Sequence, residues 1–230
     1  MEKVCHRGRL VLIALIGFAL IAGLGGSMGT VFAGGGAPLP DLVPMGFGNA
    51  VVTSRLGAPT LEFDILTANI GGQDFSRPRD PDTGSFLLQQ IYEYRLYDVD
   101  GVEIEPSRTR KNTICTIDDG ARGNVYPCIQ DHGPQFTCSP FVQGISRGWA
   151  DSYFRGLTGQ WISLGDNRGS LRLQAILDPD GDLQRTDIPD SGRDATPDNN
   201  IFNVYFTYNG GASITVDRVE LGFDPDAVCP

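Results

Sequence analysis

The sequence predicts an all-β protein built as a single antiparallel β-sandwich with long loops. Three observations carry this. Short segments alternate apolar and polar residues with period two, the pattern of strands with one dry and one wet face. Between them lie clusters of Gly, Pro, Asp and Asn with turn chemistry. Nowhere does a capped stripe of period 3.6 run long enough to predict a packed helix.

In chain order, residues 1–33 stand apart. Lys3, Arg7 and Arg9 form a basic start, an apolar stretch runs over 10–24, and Val31-Phe32-Ala33 ends a small-residue segment. This predicts a secretory signal peptide, the apolar stretch being short for a membrane span of about 20 residues. Residues 34–230 are then one domain, entered through an exposed lead-in over 34–41. Strand alternation is clearest in Leu61-Glu62-Phe63-Asp64-Ile65, Tyr92-Glu93-Tyr94-Arg95-Leu96, Leu171-Arg172-Leu173-Gln174-Ala175 and Phe202-Asn203-Val204-Tyr205-Phe206. Turns fall at 71–72, 78–84, 98–101, 178–181 and 209–211, and residues 185–200 read as a polar loop. No internal repeat of 20–50 residues divides the chain.

Composition narrows the function classes. With 40% hydrophobic and 20% charged residues, the chain has a globular balance. Acidic residues outnumber basic ones 28 to 18, a net charge of -10, which argues against binding nucleic acid because phosphate affinity needs clustered Lys and Arg. The partner expected is an extracellular protein or surface, with no membrane contact beyond the signal segment. No GxSxG elbow, phosphate-cradling Gly loop or HExxH motif is present.

Four cysteines follow the leader: Cys115, Cys128, Cys138 and Cys229. An even number in an exported chain predicts two disulfides, and the close C-x2-4-C pairs of a zinc site are missing. Beyond residue 33 the only histidine is His132, so no multi-histidine metal site can be built within one chain. Asp178, Asp180 and Asp182 alternate around Gly181, as at the start of a calcium loop, with Asp187 as a candidate distal ligand. The same residues form turns well, and both readings stand. Asp98, Asp100, Glu103 and Glu105 read better as a hairpin loop. The chain has two lysines, Lys3 in the leader and Lys111.

Residues 143–153 read QGISRGWADSY and residues 159–162 read GQWI. These closely resemble the QGIS-x-GWAD-x-Y and GQWIDI segments of the lysyl oxidase family. Weaker supporting pieces are Pro40-Asp41-Leu42-Val43-Pro44, Tyr94-Arg95-Leu96-Tyr97-Asp98 in place of the family's Y-x-L-x-D strand, Asp178-Pro179 and Asp198-Asn199-Asn200. Active members are secreted copper amine oxidases that convert the ε-amine of peptidyl lysine to an aldehyde. Their cofactor, lysine tyrosylquinone, forms from the protein's own Lys and Tyr. By position the resemblance assigns these roles to Lys111, four residues before Cys115, and Tyr153, fifteen after Cys138. It also implies pairing of Cys115 with Cys128 and of Cys138 with Cys229.

The sequence departs from the family at the copper site. The family's W-x-H-x2-H-x-H-x-H motif precedes the strand matching 91–98, where this chain has Asp82, Gly84 and Phe86 in place of closely spaced histidines. Cupric ion favours imidazole, and Gly and Phe supply no ligand. Two readings stand. One is a lysyl-oxidase-like scaffold without copper, cofactor or oxidase activity, acting in extracellular binding or structure. The other is a copper-dependent amine oxidase with unfamiliar ligands, the candidates being Asp80, Asp82 and His132. On the first reading, Lys111 and Tyr153 are expected to be neighbours, with Lys111 an ordinary ammonium that is exposed or paired with a carboxylate.

Overall fold

Strand pairing follows directly from the alternation. A computed structural model describes residues 38–78, 91–111, 115–119, 125–185 and 188–229, apart from the side chains of 105–107. One sheet contains β1 (Leu42–Arg55), β2 (Ala58–Asn69), β7 (Ala150–Tyr153) and β8 (Trp161–Ser163), with β2 pairing antiparallel to the other three. A second, five-stranded antiparallel sheet has the order β11 (Thr215–Leu221), β10 (Ile201–Tyr208), β9 (Gly169–Leu177), β4 (Tyr92–Tyr97), β5 (Glu103–Lys111). A small ribbon joins β3 (Phe75–Pro78) to β6 (Val142–Ile145).

The inward residues of the two sheets form one core. Leu61, Phe63 and Ile65 of β2 join Tyr92, Tyr94 and Leu96 of β4, Leu173 of β9, and Val204 and Phe206 of β10, all buried. Phe63 meets Tyr94 edge-on at 5.0 Å between ring centroids, a favoured aromatic geometry. Polar residues between them face outward, as the period requires. Asp64 and Glu93 are nonetheless buried: Asp64 accepts from Arg155 N at 2.7 Å, and Arg95, Arg108 and Arg110 cover the Glu93 carboxylate, which lies 2.7 Å from Arg110 Nε.

β1 extends well beyond the predicted lead-in. Its sequence alternates poorly because Gly46 and Asn49 take left-handed backbone, and the β1/β2 register shifts between Met45 and Phe47 and again between Gly48 and Val51. These are bulges, each adding a residue to one strand and breaking the period. The polar loop at 185–200 contains two short 3-10 turns, Asp190–Gly192 and Pro197–Asn199. It anchors the start of β1: Leu42 N donates to Asp194 Oδ1 at 3.1 Å, and Asn199 Nδ2 donates to Asp41 Oδ1 at 3.0 Å. Two of the weaker pieces of the family resemblance, at 40–44 and 198–200, therefore meet in space.

The disulfides are Cys115–Cys138 and Cys128–Cys229, which corrects the pairing implied by the resemblance. Residues 115–119 run beside β6 and the segment leading into it: Gly144 N donates to the Thr116 carbonyl, Thr116 N to Gln143 Oε1, and Asp118 N to the Phe136 carbonyl. That path puts Cys115 against Cys138. Separately, Tyr126 and Ile129 share a second apolar cluster with Phe223, Val228 and Cys229, bringing Cys128 to the C-terminal end.

Among the described residues, the Asp178 turn is held by its own hydrogen bonds and an ion pair. The Asp178 carboxylate accepts from the backbone N–H groups of Asp182 and Leu183, and Asp180 pairs with Arg110. These carboxylates serve the turn and the neighbouring sheet; Asp187 lies outside the described residues.

Candidate functional site

The pleat places the two singled-out residues. Lys111 follows Arg110, whose side chain lies with Glu93 on the outer face. Successive side chains alternate, so Lys111 turns inward, opposite Tyr92 in the β4/β5 register. Tyr153 ends β7 opposite Ile65 on the facing sheet. The two meet between the sheets, with Lys111 Nζ 5.4 Å from the centroid of the Tyr153 ring, within cation–π reach.

The surrounding motif builds the walls. Gly159, at φ +76°, lies so close to β5 that a Cβ there would come within 2.8 Å of the Arg110 carbonyl and Lys111 Cα. Only glycine allows that approach and that backbone conformation. The approach brings the Thr158 carbonyl to Lys111 Nζ, which donates to it at 3.3 Å. Gln160 is buried and accepts from the Tyr94 hydroxyl at 2.9 Å. Gly148, also left-handed, and Gly144 sit where a Cβ would strike backbone oxygens of Tyr126 and Phe75. Asp118, by accepting from Ser146 N and its hydroxyl and from the backbone of Gln135 and Phe136, ties the 115–119 segment to this frame.

The result is a cleft of about 360 Å³ lined by Lys111, Cys115, Ile117, Asp151, Ser152, Tyr153, Leu157 and Thr158. Lys111 is only 3% exposed, and its one described hydrogen bond is to a neutral carbonyl. The expectation that it would be exposed or paired with a carboxylate is corrected: the close approach at Gly159 shuts it from water, and Asp151 acts on it through space. Burial lowers the Lys111 pKa, opposed by the Asp151 charge. Burial raises the Asp151 pKa to about 7, with Asp119 adding to the rise. Tyr153 is pushed well above the ordinary phenol range, first by burial and then by Asp151 and Tyr92. Asp151 Oδ2, Ser152 Oγ and the Tyr153 hydroxyl are buried, with Asp151 and Tyr153 interacting with each other and Tyr153 with Thr67.

Of the three candidate metal ligands, only His132 is among the described residues. His132 Nε2 lies 3.1 Å from Asp74 Oδ2, and its Nδ1 is 2.8 Å from the Gly133 carbonyl. It does not line the Lys111 cleft. Asp80 and Asp82, with Gly84 and Phe86, lie outside the described residues. Among the described residues, no group of three or more His, Cys, Asp or Glu side chains is placed to hold a metal ion. Among the described residues, the donors on the cleft are one carboxylate, the Lys111 amine and neutral hydroxyls, with Cys115 consumed in a disulfide. That set does not fit cupric ion, which favours imidazole.

Sequence reasoning did not single out Asp151, Leu157 or Thr158. A signal for Asp151 was present: it stands two residues before Tyr153 on one strand, and period two puts both on one face. Leu157 and Thr158 come from a turn whose approach to β5 depends on Gly159, which no periodicity encodes.

No curated protein matches the chain. The family model for lysyl oxidase matches residues 88–217, more than half of the chain, covering both Lys111 and Tyr153. With the sandwich and the motif-built cleft, this establishes that the chain belongs to the lysyl oxidase family.

Proposed function

We propose that this is a secreted member of the lysyl oxidase family, exported by a signal peptide over residues 1–33, that serves an extracellular binding or structural role without amine oxidase activity. The observation that carries the reading is the position of His132. The only imidazole beyond residue 33 faces Asp74, away from the Lys111–Tyr153 pair. Family members use copper to oxidise the tyrosine ring during cofactor formation. A ring without imidazole-held copper beside it has no such oxidant, so Lys111 and Tyr153 stay unlinked. The two disulfides suit an oxidising compartment, and the net charge of -10 favours a partner other than nucleic acid, an extracellular protein or surface.

The test is copper titration of the purified protein followed by peroxide detection with an amine substrate. The reading expects no stoichiometric copper site and no peroxide above the copper-only control. Stoichiometric copper with sustained peroxide release supports instead an oxidase whose ligands include Asp80, Asp82 or His132.

A further inference from the structure

An unlinked Lys111 is a primary amine with unusual surroundings. It lines a cleft whose other walls include Ile117, Leu157 and the Cys115–Cys138 disulfide, so the space beside it suits a small apolar group. Its described hydrogen bond is to the neutral Thr158 carbonyl at 3.3 Å, and Asp151 acts on it through space. On the facing sheet Asp151 and Tyr153 line the same cleft, both buried, with the carboxyl and the phenol interacting with each other. Polar groups that converge on a cavity with apolar walls mark where a polar ligand atom belongs. A desolvated amine beside a carboxyl group is the constellation that adds to carbonyl carbon.

We propose that Lys111 is a carbonyl-capturing amine that condenses with a small apolar aldehyde in this cleft, with Asp151 as the acid; the proposal rests on the reading that Lys111 and Tyr153 are unlinked. The neutral Nζ lone pair forms the N–C bond to the carbonyl carbon, and after proton transfer from nitrogen the oxygen becomes a hydroxyl. Asp151 in its protonated form gives that hydroxyl a second proton. The C–O bond breaks, water leaves, and the nitrogen lone pair completes a protonated imine. The Asp151 carboxylate left behind is its counter-charge. No oxidant or reductant is consumed. The Tyr153 hydroxyl, on the same strand face as Asp151, offers a hydrogen bond to the departing oxygen. The directions of the shifts agree with these roles: burial makes the Lys111 ammonium easier to deprotonate and the Asp151 carboxyl easier to keep protonated.

The probe is butanal with cyanoborohydride, which reduces an imine to a stable butylamine, followed by peptide mapping of the full protein. Arg218→Lys, at a position 60% exposed at the side chain, provides an ordinary surface lysine in the same molecule. The expected result is butylation of Lys111 at least tenfold faster than the introduced lysine at neutral pH. Asp151→Asn lowers the Lys111 rate at least tenfold while the introduced lysine is unaffected, and near-ultraviolet circular dichroism verifies the fold of each variant. A free Lys111 peptide butylated no faster than the introduced lysine overturns the proposal and leaves the unlinked reading intact. A Lys111–Tyr153 cross-linked peptide in untreated protein overturns that reading, and the proposal with it.

Discussion

Asp151→Asn tests the electrostatics of the cleft through stability alone. The native carboxyl titrates near 7, against 3.8 for an ordinary Asp side chain. Its folded pKa is raised, so whatever stability its protonated form allows is fully present below about pH 4. That stability is lost as pH rises toward 7, because the unfolded chain releases the proton first. The difference between 3.8 and about 7 corresponds to on the order of 4 kcal/mol, at about 1.4 kcal/mol for each tenfold change in proton affinity. Burial sets most of it and the Asp119 charge adds to it, while hydrogen bonds from Tyr153 and from the Ile117 and Ser152 backbone work in the opposite direction. Asparagine keeps the shape and cannot ionise. Its buried amide costs about 1–3 kcal/mol if left unsatisfied, but that cost does not vary with pH. Urea unfolding between pH 4 and pH 8 should therefore show the variant gaining on the wild type as pH rises. With a slope near 2 kcal/mol per molar urea, the difference in midpoint should change by roughly 2 M across the range. Parallel midpoint curves would refute a desolvated Asp151 and remove the acid from the proposed imine chemistry.

Further outcomes follow from the same structure. Removing the Cys128–Cys229 bridge by double Ala substitution should cost about 4–5 kcal/mol and removing Cys115–Cys138 about 3 kcal/mol, from closing loops of 101 and 23 residues. Non-reducing peptide maps should find those pairs, and a Cys115–Cys128 peptide would contradict them. Gly159→Ala should lose about 1–3 kcal/mol, because the methyl meets the backbone of Arg110 and Lys111 and the residue must hold a positive φ; Gly57→Ala, also at positive φ but facing open space, should cost less in the same melts. Glu93→Gln should cost about 2–4 kcal/mol by leaving Arg95, Arg108 and Arg110 facing a neutral amide. Burial raises the Glu93 pKa but its arginines outweigh that and hold it low, so the stability it contributes is present above pH 4.5 and lost as pH falls through the folded value. A wild type and Gln variant with the same acid profile would count against this.

The fold was legible where one period governs. Leu61 to Ile65, Tyr92 to Leu96, Leu171 to Ala175 and Phe202 to Phe206 alternate cleanly, and all four lie in strands that form the core. β1 was hidden because Gly46, Asn49 and two bulges break its alternation. β11 was hidden because Thr215 to Glu220 all face solvent, so no apolar face marks it. Of the cleft, the family motif pointed to Lys111 and Tyr153, and the pleat explains why they meet. The disulfide partners were not legible, since near spacing in sequence says nothing of the path that residues 115–119 take beside β6. The burial of Lys111 was not legible either, because it depends on the close passage of Gly159.

Mass spectrometry of peptides from protein produced with ample copper tests the central claim most directly. A chain that keeps the family scaffold without an imidazole copper site predicts Lys111 and Tyr153 on separate, unmodified peptides. A single cross-linked species carrying both would contradict the account and identify an active amine oxidase.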